Sequence, residues 1–281
     1  QNISIAIVVS AAYREDIMKE RVITGLVAAA VFIPFLWLGG LPLQLLMTAI
    51  GLIAVQELLK MKKLSIFSVE GIITALATVL LMLPESYLQF IPDGIDAMLL
   101  IYLEALVLFI FTVFSRNDFT FDDAAASVLT SLYVGRGFYY FMQTRDIGFW
   151  MVLLVLFIIW GTDIGAYMIG RKIGKNKLAP AISPNKTIEG SVGGSIAAVL
   201  IAIVFFHYYN PLELSLGLQI MLAALLSVCG QMGDLVESAF KRYFGVKDAG
   251  KILPGHGGML DRFDSTLFVM PVFHIFLHFI F

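Results

Sequence analysis

The sequence predicts an all-α, polytopic integral membrane protein of about nine transmembrane helices, and three observations carry that expectation. Of its 281 residues, 59% are hydrophobic and only 14% charged. The mean hydropathy is +0.88, and a soluble fold cannot hide that much apolar surface. Apolar runs of spanning length recur along the whole chain, leaving no room for a separate soluble domain. Finally, lysine and arginine fall almost entirely in alternate connections. The net charge of −2 adds nothing, because in membrane proteins the placement of charge matters more than its sum.

Apolar runs between charged or turn-rich breaks give spans at 22–38, 42–59, 67–83, 95–115, 124–143, 147–170, 189–209, 214–232 and 264–281. The first two are separated only by Gly39, Gly40, Leu41 and Pro42, a helix stop followed by a restart, which predicts a tight hairpin. Lys60, Lys62 and Lys63 follow the second span, and Arg116 follows the fourth. Arg171, Lys172, Lys175, Lys177 and Lys186 lie between the sixth and seventh, and Lys241, Arg242, Lys247, Lys251 and Arg262 between the eighth and ninth. Only Arg145 falls in a connection of the other parity. The positive-inside rule then sets the N-terminus in the cytoplasm and the C-terminus outside.

Residues 1–17 have no basic stretch ahead of their short apolar run, which argues against a secretory signal. Met18, followed by Lys19, Glu20 and Arg21, reads as a more natural start, so 1–17 is taken as a leader of doubtful relevance. The remainder divides into N-terminal transmembrane helices over 18–143 and a C-terminal transmembrane region over 144–281 that carries the unusual residues.

Several features inside the spans have plain structural readings. Cys229 is the single cysteine, so no intrachain disulfide forms, and core packing is its expected role. Glu104 and Arg136 fall near mid-span in the fourth and fifth helices and are expected to pair with each other. Phe138, Tyr139, Tyr140 and Phe141 read as lipid or interface contacts. His274 and His278 have the i, i+4 spacing of a metal pair, but they lie about 15 and 21 Å along the last helix from Asp264, toward the outer face. Outer-interface anchoring is the expectation for both.

Two inner connections depart from ordinary loop composition. The first, with its approach, contains Asp163, Tyr167, Arg171, Lys172, Lys175, Lys177, Pro180, Ser183, Pro184, Asn185, Lys186, Thr187, Glu189 and Gly190. The second, over 233–264, contains Asp234, Glu237, Ser238, Lys241, Arg242, Lys247, Asp248, Lys251, Pro254, Gly255, His256, Gly257, Gly258, Asp261, Arg262 and Asp264. Such a mixture suits phosphoryl or nucleotidyl transfer, where a triphosphate must be approached by an anionic nucleophile. Carboxylates hold Mg²⁺ through hard oxygen ligands, and cations neutralise the remaining phosphate oxygens. Glycines at 255, 257 and 258 let backbone N–H groups come close to phosphate.

Plainer explanations exist for parts of this set. Inner loops are basic for topological reasons alone. Asp234 and Glu237 have capping-box-like spacing for a short interfacial helix, and Asp264 followed by Ser265 has the form of a helix N-cap. Capping leaves Asp248, His256 and Asp261 unexplained. His256, between glycines, suits a phosphate contact, a metal-shell donor or a loop hydrogen bond. Asp163 lies seven residues inside its span, about 10 Å deep, where carboxylates are expensive and usually functional. Its neighbours Gly161, Gly165, Ala166 and Gly170 suit close helix contact, which explains the glycines and not the acid.

The stretch Ser238 to Asp264, with Lys241-Arg242, Lys247-Asp248, Gly250, Leu253-Pro254-Gly255-His256-Gly257-Gly258 and Asp261-Arg262, resembles the signature of phosphatidate cytidylyltransferases, also called CDP-diacylglycerol synthases. Asp163, Tyr167, Lys177, Pro180, Ser183-Pro184, Lys186-Thr187, Glu189-Gly190 and Gly193-Gly194 are similar to that family too. Asn185 departs from it, standing where a small or basic residue is expected. The resemblance covers roughly the last 120 residues; the N-terminal spans share only hydrophobicity with the family.

The resemblance implies condensation of CTP with phosphatidic acid to CDP-diacylglycerol and pyrophosphate at the cytoplasmic face of the cell inner membrane. It implies an expected pair of metal ions including Mg²⁺, held by Asp234, Asp261 and Asp264 with Asp163 in support. Lys241, Arg242, Lys247, Asp248, His256 and Arg262 are the implied catalytic residues. Ser183, Lys186, Thr187, Ser238, Gly257 and Gly258 are the implied substrate-binding ones. The expected partners are CTP, phosphatidic acid, membrane lipid and a second copy of the chain, with no nucleic acid. Competing readings are a related CTP-dependent transferase acting on another lipid phosphate or a polyprenol, and an ion-coupled transporter using Asp163, Glu104 and Arg136. The transporter reading requires acids along a path across the bilayer, whereas most unusual acids here gather at one face.

Overall fold

A computed structural model describes residues 22–281 apart from 90, 91, 93 and 256. The expected leader at 1–17 and His256 therefore lie outside the described residues. Nine helices occupy the described chain: α1 (Val22–Leu38), α2 (Gly40–Met61), α3 (Val69–Met82), α4 (Ala97–Phe114), α5 (Phe121–Ile147), α6 (Phe149–Ile173), α7 (Ile188–Tyr208), α8 (Leu216–Tyr243) and α9 (Leu260–Ile280). A short antiparallel hairpin, β1 (Lys177–Ala179) and β2 (Ser183–Thr187), joins α6 to α7. Six helices, α2, α4, α6, α7, α8 and α9, are long and apolar enough to cross a membrane.

The break between α1 and α2 falls at Gly39 and Gly40, both with positive φ (65° and 51°), the left-handed region that suits glycine. Arg145, expected in an outer connection, lies instead in the last turn of α5. Its Nε and Nη2 donate to the carbonyls of Leu36 (2.7 Å) and Trp37 (2.8 Å), satisfying C-terminal acceptors of α1. At the opposite end of α5, Thr120 and Asp123 form a capping box. There Asp123 pairs with Lys62 at the end of α2 (3.1 Å).

α6 and α7 share the most extensive contact. Small residues permit it: a methyl on Gly165 would lie 2.7 Å from the Ala197 Cβ and 3.1 Å from the Gly194 Cα. α5 carries many polar residues yet packs against α2, α3, α4, α6 and α9. Phe138 and Phe141 on α5 are completely buried, correcting their reading as lipid contacts. The same helix overturns the expected Glu104–Arg136 pair. Glu104 on α4 accepts a hydrogen bond from Ser131 (2.5 Å), whereas the Arg136 guanidinium stacks on Tyr139, 3.8 Å from its ring centroid. His274 lies 3.0 Å from the Thr144 hydroxyl, tying α9 to α5.

The largest departure from the expected boundaries is α8, which runs on to Tyr243 rather than stopping at 232. Hydropathy marks where the apolar environment ends; the helix continues because its polar face finds partners among neighbouring elements. Asp234 and Glu237 are consequently mid-helix, which removes the capping-box reading for both. Likewise α9 starts at Leu260, so Asp264 belongs to its second turn and is no N-cap.

Candidate active site

The site forms where α6, α8, α9 and the hairpin meet. α8 crosses α9 at Gly233, where a methyl would lie 2.9 Å from the Asp264 carbonyl oxygen and 2.8 Å from the Phe268 Cβ. That crossing sets Asp234 beside Asp264. α6 joins through Thr162, whose hydroxyl donates to Ser227 of α8 (2.9 Å), and the next residue is Asp163. Asp163, Asp234 and Asp264 are thereby within Coulombic reach of one another, with Lys186 and Arg262 acting on Asp163 with opposite sign. Lys186 reaches from β2 to Asp234 (2.6 Å), and Ser238 donates to the other oxygen of Asp234 (3.3 Å). Asp264 is nearly buried, while Lys186 and Asp234 stay about one-third exposed and open to a ligand.

The structure separates Asp261 from this trio. Its Oδ1 accepts from Lys241 (2.7 Å), and its Oδ2 accepts from the backbone N–H groups of Gly258 (2.7 Å) and Ala249 (3.0 Å). Lys241 also contacts Glu237 (2.5 Å), and the side chains of Lys241, Glu237 and Asp261 are only 12%, 1% and 7% exposed. Lys241 is thus enclosed between two carboxylates. Such a buried ion pair must be matched by good hydrogen bonds to be tolerated.

The remaining expected residues divide by exposure. Arg242 is exposed and donates through Nε to the Ile182 carbonyl (3.1 Å), docking the hairpin on the end of α8. Lys247 and Asp248 are exposed in the connection before α9, and Arg262 is exposed in the first turn of α9. Ser183 is half-buried at the start of β2, and the Thr187 hydroxyl accepts from the Gly190 N–H as the N-cap of α7. Gly257 has φ of 85°, and its carbonyl accepts from the Leu253 N–H (3.1 Å), closing a tight turn. Gly258 is buried against Glu57.

Sequence reasoning missed Glu57 and misjudged Glu237. Glu57 lies in α2, far from the motifs, yet its carboxylate accepts from the backbone N–H groups of Met259 (2.9 Å) and Leu260 (2.8 Å). The rule that singles out Asp163, a carboxylate inside an apolar span, applies to Glu57 as well. Glu237 is almost fully buried, and among the described residues one of its oxygens has no hydrogen-bond partner.

Carboxylates from three helices in mutual repulsion offer the hard oxygen donors a divalent cation prefers. Among the described residues no three acids, histidines or cysteines close around one point. The positive charge in contact with Asp234 is the Lys186 ammonium. The donor set fits Mg²⁺ by chemistry, with Lys186 standing where added positive charge is favourable. Elsewhere, an apolar groove of about 700 Å³ runs between α6 and α7 past Trp150, Phe157 and Tyr208, and it contains no carboxylate or cationic side chain.

A family model described as the Cytidylyltransferase family matches residues 19–280. The chain is similar to the phosphatidate cytidylyltransferase of Staphylococcus haemolyticus (strain JCSC1435), with 46% identity over 260 residues, covering 92% of this chain and 99% of the relative. It is similar to the phosphatidate cytidylyltransferase of Bacillus subtilis (strain 168) at 44% over 263 residues, covering 92% and 97%. That of Staphylococcus aureus (strain COL) is 44% identical over 260 residues, covering 92% and 99%.

Proposed function

The chain belongs to the cytidylyltransferase family, and we propose that the pocket of Asp163, Asp234, Asp264 and Lys186 is where it performs that family's chemistry. Its activity is the transfer of a cytidylyl group from CTP to phosphatidate, giving CDP-diacylglycerol and pyrophosphate. A phosphate oxygen of the lipid attacks the α-phosphorus of CTP, and pyrophosphate leaves in line. The nucleophile is already anionic, so no protein base is required, and catalysis consists of positioning and charge neutralisation. The observation that carries the assignment is the partly exposed Lys186–Asp234 pair (2.6 Å), which sets a cation from the hairpin against an acid of α8 at the crossing of α8 and α9.

Asp234, with Asp264 and Asp163 nearby, would supply carboxylate oxygens to Mg²⁺, whose chemistry there is neutralisation of phosphate charge. Lys186 and the exposed Arg262 and Lys247 contact phosphate oxygens. Arg242 seats the hairpin so that Ser183 and Lys186 flank the nucleotide. Asp261 and Lys241 act by holding the 249–258 connection in place. Thr187 fixes the start of α7 beneath the hairpin, while Ser238 orients the carboxylate of Asp234. Gly258 leads into the start of α9, its N–H held by Asp261.

All nine helices cross the membrane in this reading, with the N-terminus and the pocket on the cytoplasmic side and the C-terminus outside. Supporting that orientation, Lys62 and Asp123 at the ends of α2 and α5 pair on the same side as the hairpin's contact with α8, and Arg145 holds α1 on the other. The test is pyrophosphate release from CTP by the purified protein. Release that requires phosphatidate supports the assignment, and release unaffected by it contradicts the lipid as acceptor.

A further inference from the structure

Glu57 lies in α2, which contributes no residue to the acid pocket, yet it makes the two hydrogen bonds that begin α9. Met259 and Leu260 are the N-cap and first residue of that helix, and α9 has no side-chain cap of its own. A helix start leaves its first N–H groups without partners, and the aligned peptide dipoles there favour negative charge. Glu57 supplies both needs from 202 residues away, and it is itself buried at 6% exposure. The same carboxylate lies against both ends of the 249–258 connection. A methyl on Gly250 would collide with it, and one on Gly258 would lie 2.6 Å from Glu57 Oε1. The neighbours of those glycines complete the arrangement, since the N–H groups of Ala249 and Gly258 both donate to Asp261.

We propose that Glu57 is a positioning residue for nucleotidyl transfer, fixing the start of α9 so that Arg262 and Asp264 meet Asp234 and Asp163 in register. This inference rests on the proposed activity. It ties the N-terminal helices to the chemistry through one carboxylate rather than through general packing. Both oxygens are needed. In glutamine one oxygen is replaced by an NH₂ group that would face a backbone N–H, donor against donor. Aspartate keeps the charge on a stem one methylene shorter and reaches one of the two N–H groups.

The experiment compares purified wild type, Glu57→Gln, Glu57→Asp, Gly250→Ala and the Glu57→Gln/Gly250→Ala double variant, with turnover expressed per folded molecule. Glu57→Gln should lower kcat by about 10- to 100-fold, the usual cost of removing a residue that orients a reactive group. KM for CTP should stay near the wild-type value, because the lost interaction shapes the reacting geometry more than the initial contact. Glu57→Asp should recover part of the loss. Gly250→Ala displaces the carboxylate, so the double variant should be no worse than the poorer single one. Normal kcat in folded Glu57→Gln would overturn the proposal, as would strictly additive losses in the double variant. Should Glu57→Gln fail to fold, full activity in Gly250→Ala would assign Glu57 to stability alone. Inactivity of the wild type toward CTP and phosphatidate would instead remove the proposed activity, a separate outcome.

Discussion

Asp261→Asn and Asp264→Asn change the same atom in neighbouring turns of α9 and should have opposite effects on stability. Asp261 accepts three hydrogen bonds, from Lys241, Ala249 and Gly258. An asparagine there has one acceptor oxygen. If that oxygen faces the two backbone donors, the amide NH₂ meets the Lys241 ammonium; if it faces Lys241, the NH₂ meets the backbone donors. The first orientation loses one charge-assisted contact and the second loses two; in the first, Glu237 still partners Lys241 (2.5 Å), so the expected cost is about 2 kcal/mol. For a protein of this size that lowers the thermal midpoint by about 3–4 °C. Asp264 is a buried carboxylate near Asp234 and Asp163, so replacing it by a neutral amide should remove a desolvation cost and a like-charge repulsion. Asp264→Asn should match or exceed wild-type stability yet lose at least about 10²-fold in turnover, a barrier increase of roughly 2.7 kcal/mol. Thermal midpoints in detergent, measured without added metal, and phosphatidate-dependent pyrophosphate release are the two assays. Equal destabilisation by the two substitutions would refute the division of the acids into a structural group and a reactive group.

Three further expectations follow from particular contacts. Arg145→Gln removes the donors to Leu36 and Trp37; it should lower stability by about 1–3 kcal/mol with unchanged turnover per folded molecule, because Arg145 lies at the far end of α5 from the pocket. Lys186→Gln should fold normally and lose about 10²-fold in kcat/KM for CTP, since it removes a positive charge at the acid cluster; a variant with wild-type kinetics would remove Lys186 from the site. Single cysteines replacing Lys62, Lys175 and Lys247 in a Cys229→Ser background should resist impermeant reagents applied outside intact cells, whereas cysteines at Arg145 and Phe281 should react; labelling of Lys247→Cys from outside would invert the topology.

Helix positions were the most legible part of the sequence, because every span must hide its own backbone polar groups and carry an apolar exterior. Thr187, implied as a substrate contact, turned out to cap α7, whereas the Gly39-Gly40 break could be read locally, since turn chemistry depends on adjacent residues. Contacts between distant segments could not. Glu57 and the N–H groups of α9, Lys186 and Asp234, and Arg145 and α1 each join residues whose local sequence gives no sign of the partner. The extension of α8 escaped a hydropathy reading because Glu237 and Lys241 look like loop residues until Asp261 is set beside them. Opposite charges at similar depth likewise suggested a Glu104–Arg136 pair, but depth does not report which way a side chain points around its helix. Arg136 turns to Tyr139, and Glu104 to Ser131. Of the acids, Asp163 was the most readily singled out, since burial in an apolar span is visible in sequence; the distinction between Asp261 and Asp264 required their partners.

The most direct test of the pocket is formation of CDP-diacylglycerol from CTP and phosphatidate in mixed micelles with Mg²⁺, by wild type and by Asp234→Asn. Asp234 is the acid that touches Lys186, lies beside Asp264 and remains open to a ligand. The wild type should release pyrophosphate and lipid product in equal amounts, and Asp234→Asn, at normal yield and thermal midpoint, should make product at least about 10²-fold more slowly. Undiminished lipid product from Asp234→Asn would place the chemistry elsewhere in the protein.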